Sequence, residues 1–448
     1  MAMGCRRLLH RIAGTLLIKA QSFNSHAEEH GFKTALRKAF KTLLSYRTSK
    51  TALQRGETQA KPEHWSLVDA REYPDLTPIP TFPVTAEAES FTSVVTDSIG
   101  PSSLFGGVGT ALLLATLLAN RRGQPLRIIT RTEQASAEAY GSLIKTHGLE
   151  LDGELVLSFA PAGSDRPVVS QHPDDLFITT SWWTTSSCLE RLAASQILYL
   201  LQEDERYFYP HGDQRLLCEK ILQSPQIRFV VNSRFLWDHF GQTGPSSIQT
   251  KGVYFEPCFT VQRHSLASSS RPGDKKVFFF YARPSNPRNL YRTGMQAIND
   301  ALCTKVLDSS MWEIVLAGRG LEPICFDEGT VPRLVEGLSW NDYLSLLKTV
   351  DLGLSLMATP HPSYPPLDLA ASGAVVVTNK FANKTSLLSY SENIICCDPY
   401  PDAILEGLKL AVERVDRPEE VQSAIQRQSF CQSWLETFEP LLEQFSHV

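Results

Sequence analysis

At 448 residues, 42% of them hydrophobic and 20% charged, the chain holds enough apolar mass for two domains of ordinary size and is too long for one core. A net charge of −5 disfavours nucleic acid as a partner, and no run of about eighteen apolar residues is present to cross a membrane. Nine cysteines, an odd number with no C-x-x-C pair, point to a reducing, cytoplasmic compartment rather than a disulfide framework.

The charge average hides an asymmetry, because residues 1–61 carry twelve Lys/Arg and three acidic residues. Arg6 and Arg7 precede a weak apolar patch at 12–18 that Gly14 and Thr15 interrupt, which reads against a secretory signal. Over 35–44, Leu36, Phe40, Leu43 and Leu44 share one helical face and Arg37, Lys38 and Lys41 the other. Such a basic amphipathic helix either docks on the body of the protein or lies peripherally on an anionic membrane surface. Residues 56–82 turn Pro-rich and polar, as a linker or an extended wrap does.

A first α/β series follows. A strand is expected at 91–96, a Gly-rich loop at 97–109, a helix at 111–120 and a strand at 126–131, with further strands at 155–159, 176–180, 197–201 and 228–232. Alternation of this kind predicts a parallel sheet with helical crossovers. Residues 261–275, rich in Ser and containing Pro272-Gly273, read as a connection. A second series then has strands at 276–281, 312–317, 352–356, 374–378 and 393–396. Its helices begin near 290 and span 340–349 and 401–415, and a short one ends at Gly373. Amphipathic helix around Trp434 and Phe438 closes the chain. The expected division is a basic helical extension and linker (1–85), a Rossmann-like domain (86–262), a linker (263–275), a second Rossmann-like domain (276–430) and a C-terminal helix (431–448).

Open α/β sheets bind nucleotides at the carboxyl ends of their strands, so residues just after strands are the candidates. Arg283 and Arg288 leave one strand end five residues apart, and two guanidinium forks converging on a crevice suit a diphosphate. The Pro-stiffened loop 359–368 follows another strand; it holds His361 near the expected phosphates and sets Ser363 and Tyr364 at a helix start, where the dipole favours anions. Gly318, Gly337 and Leu338 lie where backbone could meet a nucleotide, or where a plain turn would serve as well. Phe105-Gly-Gly-Val-Gly-Thr110 is not G-x-G-x-x-G and no acidic residue ends the next strand, which disfavours NAD. Gly106 and Gly107 instead permit close backbone approach or tight packing. Trp182 and Trp183, then Glu203, Asp204 and Glu205, each follow a strand, and such aromatics and carboxylates can stack on and orient sugars.

The run Tyr281-Ala-Arg-Pro-Ser-Asn-Pro-Arg-Asn289, the run Ser355-Leu-Met-Ala-Thr-Pro-His-Pro-Ser-Tyr-Pro-Pro-Leu367, and Thr378-Asn379 with Asn383-Lys384 resemble the WsaF-type rhamnosyltransferases, GT-B glycosyltransferases of family 4. Against the Gly-Arg-x4-Lys element of family 4, Ala282 stands for the glycine and Arg288 for the lysine. Against its Glu-x7-Glu motif, Pro360 and Asp368 stand for the glutamates. The resemblance implies two Rossmann-like domains facing a central cleft, here with an N-terminal helical extension. It further implies metal-independent, retaining transfer of rhamnose from dTDP-β-L-rhamnose to a glycan or glycolipid, with no cofactor beyond that donor. Arg283, Arg288 and Asp204 are then expected in catalysis. Donor binding falls to the C-terminal domain with Gly318, Gly337, Leu338, His361, Ser363, Tyr364, Asp368 and Lys384, assisted by Gly106 and Gly107. The acceptor falls to the N-terminal domain with Trp182, Trp183, Glu203 and Glu205. A non-catalytic glycan-binding subunit, or another sugar-nucleotide enzyme on the same fold, are the alternatives.

Overall fold

The computed structural model describes residues 72–100, 103–104, 106–259 and 275–446. The basic helix expected over 35–44 and most of the connection at 261–275 lie outside the described residues. In the first half the order is β1 (Thr81–Pro83), β2 (Thr92–Thr96), α1 (Gly107–Arg122), β3 (Leu126–Thr130), α2 (Ala137–Thr146), β4 (Leu155–Phe159), β5 (Val169–Gln171), β6 (Leu176–Thr179) and α3 (Trp182–Leu189). It continues with β7 (Ile197–Leu201), α4 (Asp213–Leu222), β8 (Arg228–Asn232), α5 (Arg234–Thr243), α6 (Ser246–Lys251) and β9 (Gly252–Phe255).

Seven of these strands form one parallel sheet in the order β4-β3-β2-β6-β7-β8-β9, while β1 pairs with β5 apart from it. Every residue of β2, β3 and β7 is buried, as expected of parallel strands covered on both faces. Leu198 and Leu200 point into the core beneath α1, whereas Tyr199 and Leu201 face α4 and α5. Side chains alternate across the sheet, so one strand feeds two cores.

The second half runs β10 (Lys276–Ala282), α7 (Tyr291–Cys303), β11 (Trp312–Gly318), β12 (Arg333–Glu336), α8 (Trp340–Leu347), β13 (Leu352–Leu354), α9 (Tyr364–Ala371), β14 (Val375–Asn379), β15 (Ile394–Cys397), α10 (Pro401–Val415), α11 (Pro418–Arg427) and α12 (Trp434–Phe445). Its sheet is also parallel, in the order β12-β11-β10-β13-β14-β15. Phe278 and Phe280 pack toward α7 and α10, and Phe279 packs toward α8 and α9. β12, at the sheet edge, has exposed Arg333 and Glu336 around partly buried Leu334 and Val335, too little apolar pattern to be read from sequence.

α12 returns to the first half, burying Trp434, Phe438, Leu441, Leu442 and Phe445 in the core beside α1. The outgoing and returning segments touch where the backbones at Cys258 and Cys431 form an isolated parallel β-bridge, both thiols staying free, and the Phe259 amide donates to the Cys431 carbonyl at 2.8 Å. Each sheet has a switch point, between β2 and β6 in the first and between β10 and β13 in the second. At such a point successive crossovers diverge and leave a crevice at the carboxyl ends.

Candidate active site

From the second sheet, the residues after β10, β13 and β14 gather at one edge. Arg283 is half-buried, and its guanidinium has no hydrogen bond or ion pair among the described residues. Arg288 lies in a short 3-10 turn, Pro287–Asn289, that Asn286 caps by accepting the Arg288 amide at 3.2 Å. The loop after β13 is clamped: the Ala358 amide donates to the Arg288 carbonyl at 2.7 Å, and Asn379 accepts the Met357 amide at 2.6 Å. Lys384 is fully enclosed, with Nζ donating to the Met357 carbonyl at 3.3 Å, and burial lowers its ammonium to about 8.

His361 is 4% exposed and accepts the Ser363 amide on Nδ1 at 2.9 Å. Burial, and Lys384 after it, push the imidazole down to about 3, so the ring is neutral and Nε2 carries the proton. That N–H is buried without a partner among the described residues. Ser363 follows at φ 72, a left-handed conformation that costs a non-glycine residue free energy and recurs at ligand sites.

From the first sheet, Gly106 has φ 87, open to glycine alone at little cost, and a Cβ there would stand 3.8 Å from the Tyr364 ring. Gly107 is covered by Gln202, whose amide donates to its carbonyl. Glu203 reaches across the cleft: Arg288 donates to Oε2 at 2.8 Å and the Thr359 hydroxyl donates to Oε1. Burial raises the Glu203 carboxyl, and the bonds from Arg288 and Thr359 oppose that rise.

Tyr364 joins the halves a second time. The Thr110 hydroxyl donates to the Gly106 carbonyl, so it accepts the Tyr364 proton at 2.8 Å; the Tyr364 oxygen in turn accepts from Asn232 Nδ2 at 2.8 Å. A cavity of about 220 Å³ opens beside these contacts. Gly106, Thr110, Leu143, His147 and Cys258 line it from the first half of the chain, and Leu338, Ser339, Trp340, Tyr364, Asp368 and Trp434 from the second. The convergence of Gly106, Leu338, Tyr364 and Asp368 on one space thus joins four of the sequence candidates.

Asp368 is 5% exposed and accepts the Tyr343 hydroxyl at 3.2 Å. Burial pushes its carboxyl up to about 7, against the bond from Tyr343. A raised carboxyl binds its proton more tightly in the folded chain, so its stabilising contribution is complete below about pH 4 and is lost as pH rises through about 7. Asp368→Asn is therefore expected to raise Tm by about 3 °C at pH 8 and not at pH 4. Thermal scans at the two pH values check it.

Several candidates occupy other places. Asp204 is buried and accepts from Arg206 Nε and Nη2 at 2.8 and 2.7 Å and from His239 Nε2 at 2.9 Å. Burial lifts that carboxyl, and the bonds from His239 and Arg206 outweigh it and hold the carboxyl below its ordinary range. The side chain braces the loop after β7 instead of facing the cleft. Glu205 is likewise inside, its Oε2 accepting the Trp182 amide and the Tyr199 hydroxyl, each at 2.7 Å, and burial pushes it up to about 8.

Trp182 is 2% exposed because Ser181 starts α3 with a capping box to Thr184, which turns the first indole inward onto the Tyr209 hydroxyl. No sugar can stack on it. Trp182→Ala is expected to cost about 3–5 kcal/mol, measurable by urea unfolding. Trp183 stays half-exposed.

Gly318 pairs with Ala282 across β10 and β11, and a Cβ would fall 1.6 Å from the Ala282 carbonyl oxygen, so strand packing demands the glycine. Gly337, at φ 65 with open space around it, is a turn residue. Sequence reasoning gave no role of their own to Thr110, Asn232, Thr359 and Asn379, of which Asn232 and Asn379 end strands and so carried the same positional signal as Arg283. Among the described residues no group of three His, Cys, Asp or Glu side chains is placed to hold a metal ion.

Family models for the WsaF N-terminal domain and the WsaF C-terminal domain match residues 92–234 and 276–409, together more than half of the chain. The chain belongs to the WsaF family. This WsaF-family chain is 30% identical over 241 residues to the O-antigen biosynthesis protein RfbC of Myxococcus xanthus, an alignment that covers 53% of the chain and 18% of that relative. Among solved structures, Anabaena Alr3699/HepE in complex with UDP and glucose is similar at a TM-score of 0.54 and 14% identity, over 80% of this chain and 100% of that one. Sucrose-phosphate synthase (tll1590) from Thermosynechococcus elongatus is similar at 0.51 and 11%, over 80% and 98%. At these identities the likeness is one of fold, and the WsaF-family chain has the GT-B arrangement of two parallel α/β halves.

Proposed function

We propose that this WsaF-family chain is a glycosyltransferase that moves a rhamnosyl group from dTDP-β-L-rhamnose to a glycan or glycolipid acceptor, without a metal ion and with retention at the anomeric carbon. The observation that carries the reading is the set of three cations, Arg283, Arg288 and Lys384, brought to one sheet edge with Arg283 unpartnered among the described residues. Charge compensation aimed at a leaving diphosphate is the term that most accelerates such a transfer.

Donor binding exchanges the Arg288–Glu203 ion pair for an Arg288–phosphate pair. Glu203 is thereby released to orient an acceptor hydroxyl, while Arg283 and the unpartnered His361 Nε2–H are donors for phosphate or sugar oxygens. The anomeric C–O bond to the diphosphate breaks as the acceptor oxygen bonds to that carbon, and the acceptor proton passes to the departing phosphate. The Tyr364 bonds to Thr110 and Asn232 across the cleft hold the halves together, which keeps water from the donor.

Asp368, at the cavity wall, accepts a deoxyribose hydroxyl; the Leu338 backbone faces the base. Calorimetry with dTDP, UDP and GDP side by side should show dTDP binding at least tenfold tighter. A preference for UDP or GDP removes rhamnose from the reading and leaves the transferase intact. Failure to release dTDP from dTDP-rhamnose with any rhamnose-containing acceptor would remove the catalytic reading as well.

A further inference from the structure

The switch point of the first sheet carries groups that the donor site does not use. Asp97 follows β2, Trp183 lies in the first turn of α3 after β6, and Arg131 follows β3, so the three share one carboxyl edge. Both oxygens of the partly buried Asp97 carboxylate accept from the single indole N–H of Trp183, at 3.1 and 3.0 Å. A carboxylate has about four acceptor positions, so most of its capacity is unspent. Burial raises this carboxyl to about 6, which leaves it mainly ionised at pH 7.

Arg131 lies below. It is 3% exposed, its Nη2 donates to the Thr77 carbonyl at 2.8 Å and hydroxyl at 3.2 Å, and its Nη1 has no partner among the described residues. An enclosed guanidinium outside an ion pair is costly, and the carboxylates nearest to it in charge are Asp97 and Asp75. Its charge therefore favours the ionised form of Asp97.

An ionised carboxylate with open acceptor positions beside a half-exposed indole is the chemistry that recognises a neutral pyranose. Ring hydroxyls donate to the carboxylate, and the apolar C–H face lies on the aromatic ring. Position narrows the assignment. β2 lies two strands from β7, which leads to Glu203, and at about 4.8 Å per strand that is roughly 10 Å along the edge. A single sugar held at Glu203 does not reach Asp97, whereas a short oligosaccharide does.

We propose that Asp97 and Trp183 form a second acceptor subsite that takes the sugar residue next to the one receiving the transferred group, with Arg131 as a positioning residue beneath them. The proposal rests on the glycosyltransferase reading given above. It makes the enzyme a reader of acceptor length, acting on chains that an earlier transfer has already started.

The test compares the full chain with Asp97→Asn and Trp183→Ala on two probes, methyl rhamnoside and a rhamnose disaccharide, following dTDP release from dTDP-rhamnose. The native enzyme should favour the disaccharide in kcat/KM, and each variant should lower that disaccharide-to-monosaccharide ratio about tenfold. Thermal unfolding confirms that each variant is folded. A ratio of one in the native enzyme, or a ratio unchanged in both variants, would overturn the subsite.

Trp183→Phe keeps an aromatic face without the indole N–H. A merely structural role predicts equal losses on both probes for this variant, which also counts against the subsite. If the native chain releases no dTDP with either probe, the transfer reading fails separately. The subsite is then judged by tryptophan fluorescence on titrating the disaccharide: saturation in the native chain and its loss in Asp97→Asn support it, and no response overturns it.

Discussion

Arg288→Ala is expected to lower kcat for transfer from dTDP-rhamnose about 10²–10³-fold, the cost of removing one donor aimed at a developing charge. The guanidinium makes two contacts, with the Glu203 carboxylate at 2.8 Å and with the face of Phe208, whose centroid lies 4.2 Å from the guanidinium carbon. The substitution also strips Glu203 of its strongest partner, leaving the Thr359 hydroxyl and the Lys384 charge to face it. A loss of about 2 kcal/mol of stability should accompany the loss of rate.

Glu203→Gln combined with Arg288→Ala separates the two effects. The double variant should recover most of the stability, because no half-buried carboxylate is left unpaired, and none of the rate. Urea unfolding and single-turnover kinetics measure them independently. A folded Arg288→Ala enzyme with native kcat would remove the leaving-group role.

Gly318→Ala is expected to destabilise the second half by more than about 3 kcal/mol, enough to deplete folded protein. The obstacle is the Ala282 carbonyl oxygen, 1.6 Å from where the new methyl would sit, and that carbonyl belongs to the strand next to Gly318 in the ladder. Backbone cannot step aside as a long side chain can, so β10 and β11 must part at the end that carries Arg283. Gly337→Ala is the matching control. Its φ of 65 is unfavourable for alanine, but no atom lies within 4 Å of the new Cβ, so about 1 kcal/mol is expected. Comparable denaturation midpoints for the two variants would show that packing is not what holds Gly318.

Much of the architecture was legible because its signals are local. The runs Ile197–Leu201 and Arg228–Asn232 are short, apolar and β-branched or aromatic, and each became a strand of the first sheet. Arg283, Arg288 and the loop before Tyr364 were placed at a sheet edge by chain order alone, since every parallel strand exposes the residue that follows it. Which neighbour faces outward was not legible. Glu203, Asp204 and Glu205 are consecutive carboxylates, yet one crosses the cleft to Arg288, one is held by Arg206 and His239, and one is shut in with Tyr199 and Trp182. Trp182 and Trp183 parted in the same way once Ser181 capped the helix.

The amino-acid sequence by itself determined two parallel α/β halves, the edge at which charged and aromatic residues collect, and the wording that marks the WsaF family. These follow from hydrophobic period and from residue order, which need no knowledge of distant partners. Only the tertiary structure decided that Tyr364 bonds Thr110 and Asn232, which lie 254 and 132 residues away, that Gly318 serves the ladder, and that Asp97 stands beside Trp183 with acceptor positions to spare. The physical reason is that a buried polar group is fixed by whichever donors and acceptors packing brings to it, and packing is set by the whole chain.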